Sequence, residues 1–280
     1  MPELPEVQTV VNQLKEGLIG KTIIGLDIRL PKLFFGDQRK VINAKIVDVK
    51  RRAKMILIKL NNDSNIVVHL KMTGQLIYSD SQNVAAFPNP IPFAGTSLPG
   101  KTTHIILKLD KGALFFNDMR QFGWMKVLTD DEVIEVHEKH GPEPFGDDFT
   151  VEYLTKILAS WGRPVKLLLL EQSKIAGIGN IYANEALWYA GISPMKRGRE
   201  VTKIKELYES IKKVLEMGLE YGGSSAADEA FVNAFGLPGK MQNHFMVYQK
   251  NGTPCPRCGK TITKSTIGGR GTFYCPECQK

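Results

Sequence analysis

Four cysteines near the end of the 280-residue sequence have the spacing of a metal site. They occur as Cys255-x2-Cys258 and Cys275-x2-Cys278, and the sequence has no other cysteine. Each pair can present two thiolates from a tight turn, and two such pairs complete a tetrahedral zinc site. Four thiolates leave no open position for water, so the sequence predicts one structural zinc ion per chain, in a small module over residues 246–280.

The residues between the cysteine pairs, TITKSTIGGRGTFY, predict a β-hairpin with Arg270 at its glycine-rich tip. A guanidinium held at a rigid tip suits a phosphate group or a DNA groove. A solvated arginine is the alternative. The net charge of +8 and the pI near 9.2 favour a polyanionic partner.

The N-terminal stretch MPELPEV raises a different question, because it holds two prolines and two glutamates. A helix start explains Pro5 and Glu6, since proline fits a first helical turn and an acidic side chain complements the positive helix end. It does not explain Pro2 and Glu3. These two residues are therefore candidates for chemistry.

Several other motifs are weak when taken singly. The basic run Lys50–Lys54 is also typical of a charged edge strand. The glycine turn AGIGN, residues 176–180, precedes a predicted helix, where free amides can bind a phosphate. Met72, Arg120 and Phe122 are each more typical of packing than of function.

The stretch GTSLPGKT, residues 95–102, matches the Walker A pattern. That loop needs a strand before it and a helix after it, so that amides and helix dipole converge on phosphates. Here FPNPIPFA precedes the match and the alternating run THIILKL follows it. We therefore expect a proline- and glycine-rich surface loop and no nucleotide cofactor.

The elements that position these residues follow from periodicity. Apolar residues recur at helical spacing from Val7 to Leu18, and short β-branched runs with turn signals then fill residues 21–127, as in an antiparallel sandwich or barrel. From Thr129 a capping box, TDDE, opens a helical region. Further helices are predicted near residues 150–160, 164–172, 181–189 and 202–220. We expect three domains, over residues 1–128, 129–245 and 246–280.

Taken together, these segments resemble the formamidopyrimidine-DNA glycosylase family of bacterial repair enzymes. The match runs over nearly the whole sequence, through MPELPEV, RRAK, HLKMTG, NDMRQFG, HGPEPF, GIGNIYANEAL, the four cysteines and RGTFYCPECQK. The resemblance implies an α+β multidomain fold: an N-terminal β-sandwich with a leading helix, a helix–two-turn–helix domain and a C-terminal four-cysteine zinc finger.

The resemblance also implies a reaction. Family members are bifunctional DNA glycosylases and AP lyases of base excision repair, which excise oxidised purines and then cut the strand by β,δ-elimination. After removal of Met1, the secondary amine of Pro2 is the nucleophile, and its pKa near 8 leaves much of it unprotonated. The family gives Glu3 a proton transfer at the sugar ring oxygen. Lys54 contacts phosphate and assists base departure, and Arg270 donates a proton in δ-elimination.

By the same resemblance, Met72, Arg120 and Phe122 fill the space left by the extruded base, with Arg120 facing the orphaned cytosine. His104, Asn180 and Arg270 match residues that contact the DNA backbone in the family. Arg163 is a further predicted DNA-binding residue; it lies in the stretch SWGRPVK, which contains more lysines in other family members. The lesion-recognition loop is expected near residues 222–242, where the match is loose. The segment of residues 79–103 is longer than the family pattern predicts.

These observations favour some partners and leave alternatives. We expect a monomer that acts on damaged double-stranded DNA, with no membrane partner; no apolar run reaches spanning length and no secretory signal is present, so a bacterial cytoplasm, at the nucleoid, is the expected location. An endonuclease VIII-like enzyme for oxidised pyrimidines is the nearest alternative. A non-catalytic, zinc-dependent DNA-binding protein and a nucleotide hydrolase are alternatives of other classes.

Overall fold

The structure of the protein is a computed structural model that describes residues 1–81, 84–225 and 231–280. These residues form two compact units, Met1–Glu138 with Leu219–Gln242, and Lys139–Gly218 with Asn243–Lys280. Residues 219–225 and 231–242 thus cluster with the N-terminal part of the chain. The division at residues 128 and 245 stays a prediction. Within the described ranges, no helix has the length and apolarity needed to cross a membrane.

The first unit is a β-sandwich with a leading helix, α1 (Leu4–Leu18). The strands of its two sheets are β1 (Ile23–Ile28), β2 (Phe34–Phe35), β3 (Ile46–Arg52), β4 (Met55–Leu60), β5 (Ser64–His69), β6 (Gly74–Ser79), β9 (Thr103–Leu109), β10 (Ala113–Asp118) and β11 (Trp124–Thr129). One sheet has the order β1-β9-β10-β6 and the other β2-β11-β5-β4-β3. All pairs in the two sheets are antiparallel except β2 with β11.

The core of the sandwich contains the apolar face of α1. Val7, Val10 and Leu14 are fully buried there with side chains from both sheets, such as Ile56 and Leu107. This is the burial that the helical spacing of the N-terminal residues predicts. The predicted fold class, a sandwich behind one helix, is confirmed.

The segment of residues 79–103, which contains the Walker A match, is not all loop. It contains a two-stranded antiparallel hairpin, β7 (Ala85–Ile91) and β8 (Gly95–Leu98). The surface loop predicted for residues 95–102 is wrong for residues 95–98, which form β8, because apolar side chains of the hairpin are buried against the outer face of the β1-β9-β10-β6 sheet. Two prolines are tolerated in β7, whose pairing is irregular. Strand β9 follows the Walker A match, as the sequence indicates.

The second unit is helical and carries the cysteine module. Helix α2 (Asp130–Glu138) still belongs to the first unit, and Thr129 and Glu132 form the predicted capping box at its start. The later elements are α3 (Val151–Ala159), α4 (Val165–Leu170), α5 (Asn180–Ala190), α6 (Ile204–Glu220), β12 (Thr263–Ile267) and β13 (Arg270–Tyr274).

Helix α5 is the centre of the second unit, and it is buried almost all round. The Asn184 side chain accepts a hydrogen bond from the Phe273 amide (2.8 Å), which joins α5 to β13. The fully buried Glu185 accepts three backbone amide bonds, from residues 246 to 248. Burial nevertheless raises the pKa of Glu185 above its ordinary value.

Candidate active site and nucleic-acid interface

Pro2 and Glu3 lie buried at the start of α1. Glu3 is the extended residue just before the helix and is 3% exposed. Its backbone amide donates to Glu6 Oε2 at 2.7 Å, and Pro5 lies in the first turn, as its position in the sequence predicts. One hydrogen bond from the helix therefore sets the backbone of the residue that follows Pro2.

Glu6 does more than start a helix, which sequence reasoning missed. Its second oxygen, Oε1, accepts the backbone amide of Ser224 at 2.8 Å. The neighbouring Gly223 has φ +83°, and a Cβ there would lie 2.8 Å from Glu6 Cγ, so glycine is required for this approach. Glu6 thus joins the Pro2–Glu3 segment to the 222–242 segment. Residues 226–230 of the expected lesion-recognition loop lie outside the described residues.

Lys54 lies in the tight turn between β3 and β4 and is 6% exposed. Ala53, before it, has φ +51°. The Arg51 guanidinium donates to Ala53 O at 2.9 Å and to Gln8 Oε1 at 2.8 Å. Because Gln8 is in the second turn of α1, these bonds hold the Lys54 turn beside the helix that begins after Glu3.

The loop that carries Arg120 and Phe122 is built on Asp118, a fully buried carboxylate that sequence reasoning missed. Asp118 accepts backbone amides from Arg120 (3.2 Å), Phe122 (2.8 Å) and Gly123 (2.7 Å). It also accepts the hydroxyl of Thr73, the residue after Met72. One buried group therefore brings together the two loops from which Met72, Arg120 and Phe122 project. The only sequence signal was an acidic residue closing an apolar strand, FFND.

The side chains on these loops are not core residues. Phe122 is 56% exposed, Arg120 is exposed with its Cζ 5.0 Å from the centroid of the Phe122 ring, and Met72 is half-buried. The packing interpretation therefore does not hold for Phe122. An exposed aromatic ring beside a guanidinium is suited to contact with another molecule.

His104 has a different environment from the one expected of a phosphate contact. It is 8% exposed, and its Nε2 forms a 2.8 Å hydrogen bond with the Asp118 carbonyl oxygen. In this arrangement His104 supports the strand end that carries the Arg120 loop. Its contact with DNA stays a prediction.

In the second unit, the AGIGN turn is held by Gln172. The Gln172 side chain accepts the Gly177 amide at 2.9 Å and donates to Ile178 O at 2.9 Å. Asn180 is the first residue of α5, and its Nδ2 donates to Gly271 O at 3.0 Å. Arg163 is exposed before α4.

Arg270 follows the glycine tip of the β12–β13 hairpin and is exposed. Both tip glycines, Gly268 and Gly269, have positive φ, which favours glycine. The residues just after Arg270 are held by Lys166, which is fully buried and donates through Nζ to Gly271 O and Thr272 Oγ1, each at 2.8 Å. Lys166 is the last residue of the SWGRPVK stretch, and no signal in the sequence indicated this buried role.

The four cysteines form the predicted metal cluster. Their sulfurs all lie within 4.8 Å of one another, with Cys255–Cys278 at 4.0 Å and Cys258–Cys275 at 3.5 Å. A tetrahedron with Zn–S bonds of about 2.3 Å places its sulfurs about 3.8 Å apart. The cluster therefore fits one structural zinc ion, as predicted.

The thiols of the cluster differ in acidity. Burial opposes ionisation of Cys255, but the backbone amides of Arg257 and Cys258 help to lower its pKa to about 6. Burial and the neighbouring thiols raise the pKa of Cys278 to about 12. Four thiolates at these distances repel one another, and a divalent cation neutralises that charge.

The candidate residues divide between the two units. Those in the first unit are Pro2, Glu3, Lys54, Met72, His104, Arg120 and Phe122, and those in the second are Arg163, Asn180, Arg270 and the four cysteines. Buried polar residues hold several of the segments that carry them: Glu6 holds the Glu3 backbone, Asp118 holds the Arg120–Phe122 loop and Lys166 holds the residues after Arg270.

Comparisons with known proteins cover the whole chain. Three family models match: the formamidopyrimidine-DNA glycosylase N-terminal domain at residues 1–125, its H2TH domain at 140–230 and the zinc finger found in FPG and IleRS at 252–280. A formamidopyrimidine-DNA glycosylase of Pelotomaculum thermopropionicum is 39% identical over 290 residues, covering 100% of this chain and 99% of the relative.

Several solved structures with similar folds contain DNA. The Lactococcus lactis Fpg complex with abasic-site DNA has a TM-score of 0.86 at 33% identity and covers 99% of both chains. A complex of the wild-type Lactococcus lactis protein with DNA containing an oxidised pyrimidine has a TM-score of 0.86 at 33% identity and covers 100% of both chains.

Proposed function

The chain belongs to the formamidopyrimidine-DNA glycosylase family, and from this premise we propose that it is a bifunctional DNA glycosylase and AP lyase of base excision repair that excises oxidised purines. The observation that carries the proposal is the placement of Pro2 and Glu3, buried together at the start of α1 in a chain whose three segments each match a model of this family. Its partner is damaged double-stranded DNA, and its location is the bacterial cytoplasm, at the nucleoid.

The nucleophile is the secondary amine of Pro2, which is free once Met1 has been removed. An α-amino group has a pKa near 8, and the positive end of α1 further disfavours its charged form. The amine attacks C1′ of the damaged nucleotide, and the bond between C1′ and the base nitrogen breaks with its electron pair leaving on the base. The nitrogen of this adduct then loses its proton, and the C1′–O4′ bond of the sugar breaks as the nitrogen lone pair forms an iminium between Pro2 and C1′.

Glu3 transfers the proton at the sugar ring oxygen that ring opening requires. Its backbone is held by Glu6, so its carboxyl group belongs to a fixed segment beside the nucleophile. Lys54 contacts phosphate and assists departure of the base, from a turn that Arg51 ties to α1.

Strand cleavage follows from the iminium. The positive charge acidifies the C2′ proton, so loss of that proton expels the 3′ phosphate by β-elimination, and a second elimination expels the 5′ phosphate. Arg270 donates a proton in this second step. The Lys166 contacts to Gly271 and Thr272 support this role, because they hold the backbone that follows Arg270.

The Met72, Arg120 and Phe122 side chains take the place of the damaged base after it is flipped out of the helix. An apolar wedge restores part of the lost stacking, and Arg120 hydrogen-bonds the orphaned cytosine. Support comes from the exposure of Phe122 and Arg120 on a loop held by Asp118. The extruded base is received by the 222–242 segment.

Backbone phosphates are bound by His104, Arg163, Asn180 and Arg270, in keeping with the net charge of +8. Zinc holds the cysteine module folded and takes no part in the reaction. The three domains span residues 1–128, 129–245 and 246–280.

A second substrate class has one observation in its favour. The similar Lactococcus lactis protein is described in complex with DNA containing an oxidised pyrimidine. We therefore include this lesion beside the purine in the test of function.

The test is borohydride trapping on two duplexes, one with 8-oxoguanine opposite cytosine and one with an oxidised pyrimidine. Borohydride reduces the iminium to a stable amine, so an active enzyme becomes covalently attached to its substrate. We expect a strong adduct and strand cleavage with 8-oxoguanine. Binding without an adduct on either duplex would favour the non-catalytic alternative, and an adduct on the pyrimidine duplex alone would favour the endonuclease VIII-like alternative.

A further inference from the structure

The β1-β9-β10-β6 sheet is apolar on both faces. Its inner face belongs to the sandwich core, while Ile77, Ile106 and Phe115 on its outer face are all at most 4% exposed. An apolar sheet face must be covered to be stable in water. Here the β7–β8 hairpin covers the outer face with its own buried side chains, which are Ala85, Ile91, Ala94 and Leu98.

The same hairpin contacts residues 231–237, the C-terminal arm of the 222–242 segment. Val232, 3% exposed, belongs to the apolar cluster under the hairpin. A Cβ placed on Gly236 would lie 3.1 Å from Ile91 Cγ1, 3.2 Å from Ile91 Cδ1 and 3.4 Å from Phe87 Cδ1. The backbone at Gly236 therefore rests directly on the Ile91 side chain.

Other contacts hold the same arm from the sandwich side. The Ala234 carbonyl accepts the Tyr78 amide of strand β6 at 2.9 Å, and the Ala234 amide donates to Gln13 Oε1 on α1 at 2.9 Å. The turn itself is closed by Asn233, whose Oδ1 accepts the amides of Phe235 and Leu237, each at 3.0 Å. This turn thus lies between the edge strand of the sheet and the hairpin.

We propose that the β7–β8 hairpin positions residues 231–237 for lesion recognition, with Ile91 as the positioning residue. The inference rests on the proposed function, in which the 222–242 segment receives the extruded base. Ile91 is 1% exposed, so its effect is exerted through the backbone at Gly236. If its side chain is shortened, the turn gains room to shift toward the hairpin, and a shift of about 1 Å in a binding segment can lower a rate by up to about a hundredfold.

The experiment compares Ile91→Ala with Leu98→Ala. Both residues are at most 1% exposed and share one apolar cluster, but the side chains nearest to Gly236 are those of Ile91 and Phe87. For each variant, single-turnover rates are measured for excision of 8-oxoguanine and for cleavage at a preformed abasic site, together with the melting temperature. Cleavage at an abasic site requires no recognition of a base.

We expect the ratio of the excision rate to the abasic cleavage rate to be about tenfold lower in Ile91→Ala than in Leu98→Ala. This is a modest loss for a misplaced binding segment. The melting temperatures should fall similarly in both. Ile91→Val, which removes only Cδ1, should change the ratio in the same direction if Ile91→Ala does not fold. Equal ratios in the Ile91 and Leu98 variants would overturn the proposal.

The wild-type protein separates this inference from the proposed function. If the wild type excises 8-oxoguanine but the Ile91 and Leu98 variants have equal ratios of excision to abasic cleavage, the proposed function stands and the role of Ile91 does not. A wild type with abasic cleavage but without excision of any oxidised base would instead contradict the proposed function.

Discussion

The Glu6 carboxylate and the Ser224 backbone amide form a 2.8 Å hydrogen bond between positions 218 residues apart in the chain. The other Glu6 oxygen holds the amide of Glu3 at 2.7 Å, and Glu6 itself is 1% exposed. A buried carboxylate that accepts one amide on each of its two oxygens couples the two segments to which those amides belong. In this protein those segments are the N-terminus, proposed to be catalytic, and the segment proposed to receive the damaged base.

Glu6→Gln tests this coupling. Glutamine retains one acceptor oxygen but turns an NH2 group toward the second amide, which leaves a buried donor unsatisfied at about 1–3 kcal/mol. We expect a lower melting temperature and a loss of 8-oxoguanine excision of about tenfold or more, since Glu3 is no longer held in place. Single-turnover excision and duplex binding are the measurements. Glu16→Gln, an exposed glutamate on the same helix, is the matched control and should leave both unchanged.

Pro2→Gly tests the nucleophile. Glycine replaces the secondary amine by a primary one and frees the backbone, so we expect borohydride trapping to weaken strongly while duplex binding persists. A protein that retains Met1 should behave in the same way, because its Pro2 nitrogen is an amide without basicity. Robust strand cleavage by the Met1-retaining protein, checked by mass spectrometry, would contradict the role of Pro2.

The double variant Met72→Ala with Phe122→Ala tests the wedge. Flipping a base costs a few kcal/mol in stacking and pairing, part of which the inserted side chains recover. Excision of 8-oxoguanine from a paired duplex should therefore fall much more than cleavage at a preformed abasic site. Because Phe122 is 56% exposed, the melting temperature should change little. Parallel losses on both substrates with a lowered melting temperature would mean that these residues serve packing.

Lys166→Met tests whether Lys166 holds the hairpin tip that carries Arg270. Methionine fills a similar volume but cannot donate to Gly271 O and Thr272 Oγ1. We expect the β12–β13 tip to lose its fixed position, so that the β-elimination product accumulates at the expense of the δ-elimination product on sequencing gels. Lys156→Met, an exposed lysine on α3, is the control. An unchanged product ratio in Lys166→Met would remove the link between this lysine and Arg270.

Removal of zinc tests the cysteine module. Chelation or Cys275→Ser should unfold residues 246–280 and abolish DNA binding, because the module depends on the ion for its stability. Most of the secondary structure measured by circular dichroism should remain, since it lies in the rest of the chain. Active protein with much less than one zinc per chain by metal analysis would refute the structural role.

Local patterns in the sequence were sufficient to predict the cysteine cluster and helix α1. The cysteine pairs are two short turns, so spacing alone predicts the cluster whose sulfurs lie within 4.8 Å of one another. Helix α1 follows from a 3.6-residue period and from Pro5 in its first turn. Such signals act over a few residues, and neighbours along the chain are neighbours in space whatever the fold.

The tertiary structure alone decided which polar groups are buried together. From the sequence, Asp118 is only the last residue of a strand, and its role became visible only in the fold, where Thr73, from the turn before β6, donates a hydrogen bond to it. The prolines in residues 79–103 argued against strands there. The hairpin forms because it covers an apolar sheet face made by β6, β9 and β10, and that face exists only in the folded chain. The sequence explains Glu6 only as an acidic residue in a first helical turn, and its hydrogen bond with the Ser224 amide is visible only in the fold. These contacts join residues that are distant in sequence, and their energy comes from burial, which the folded chain creates and no local pattern encodes.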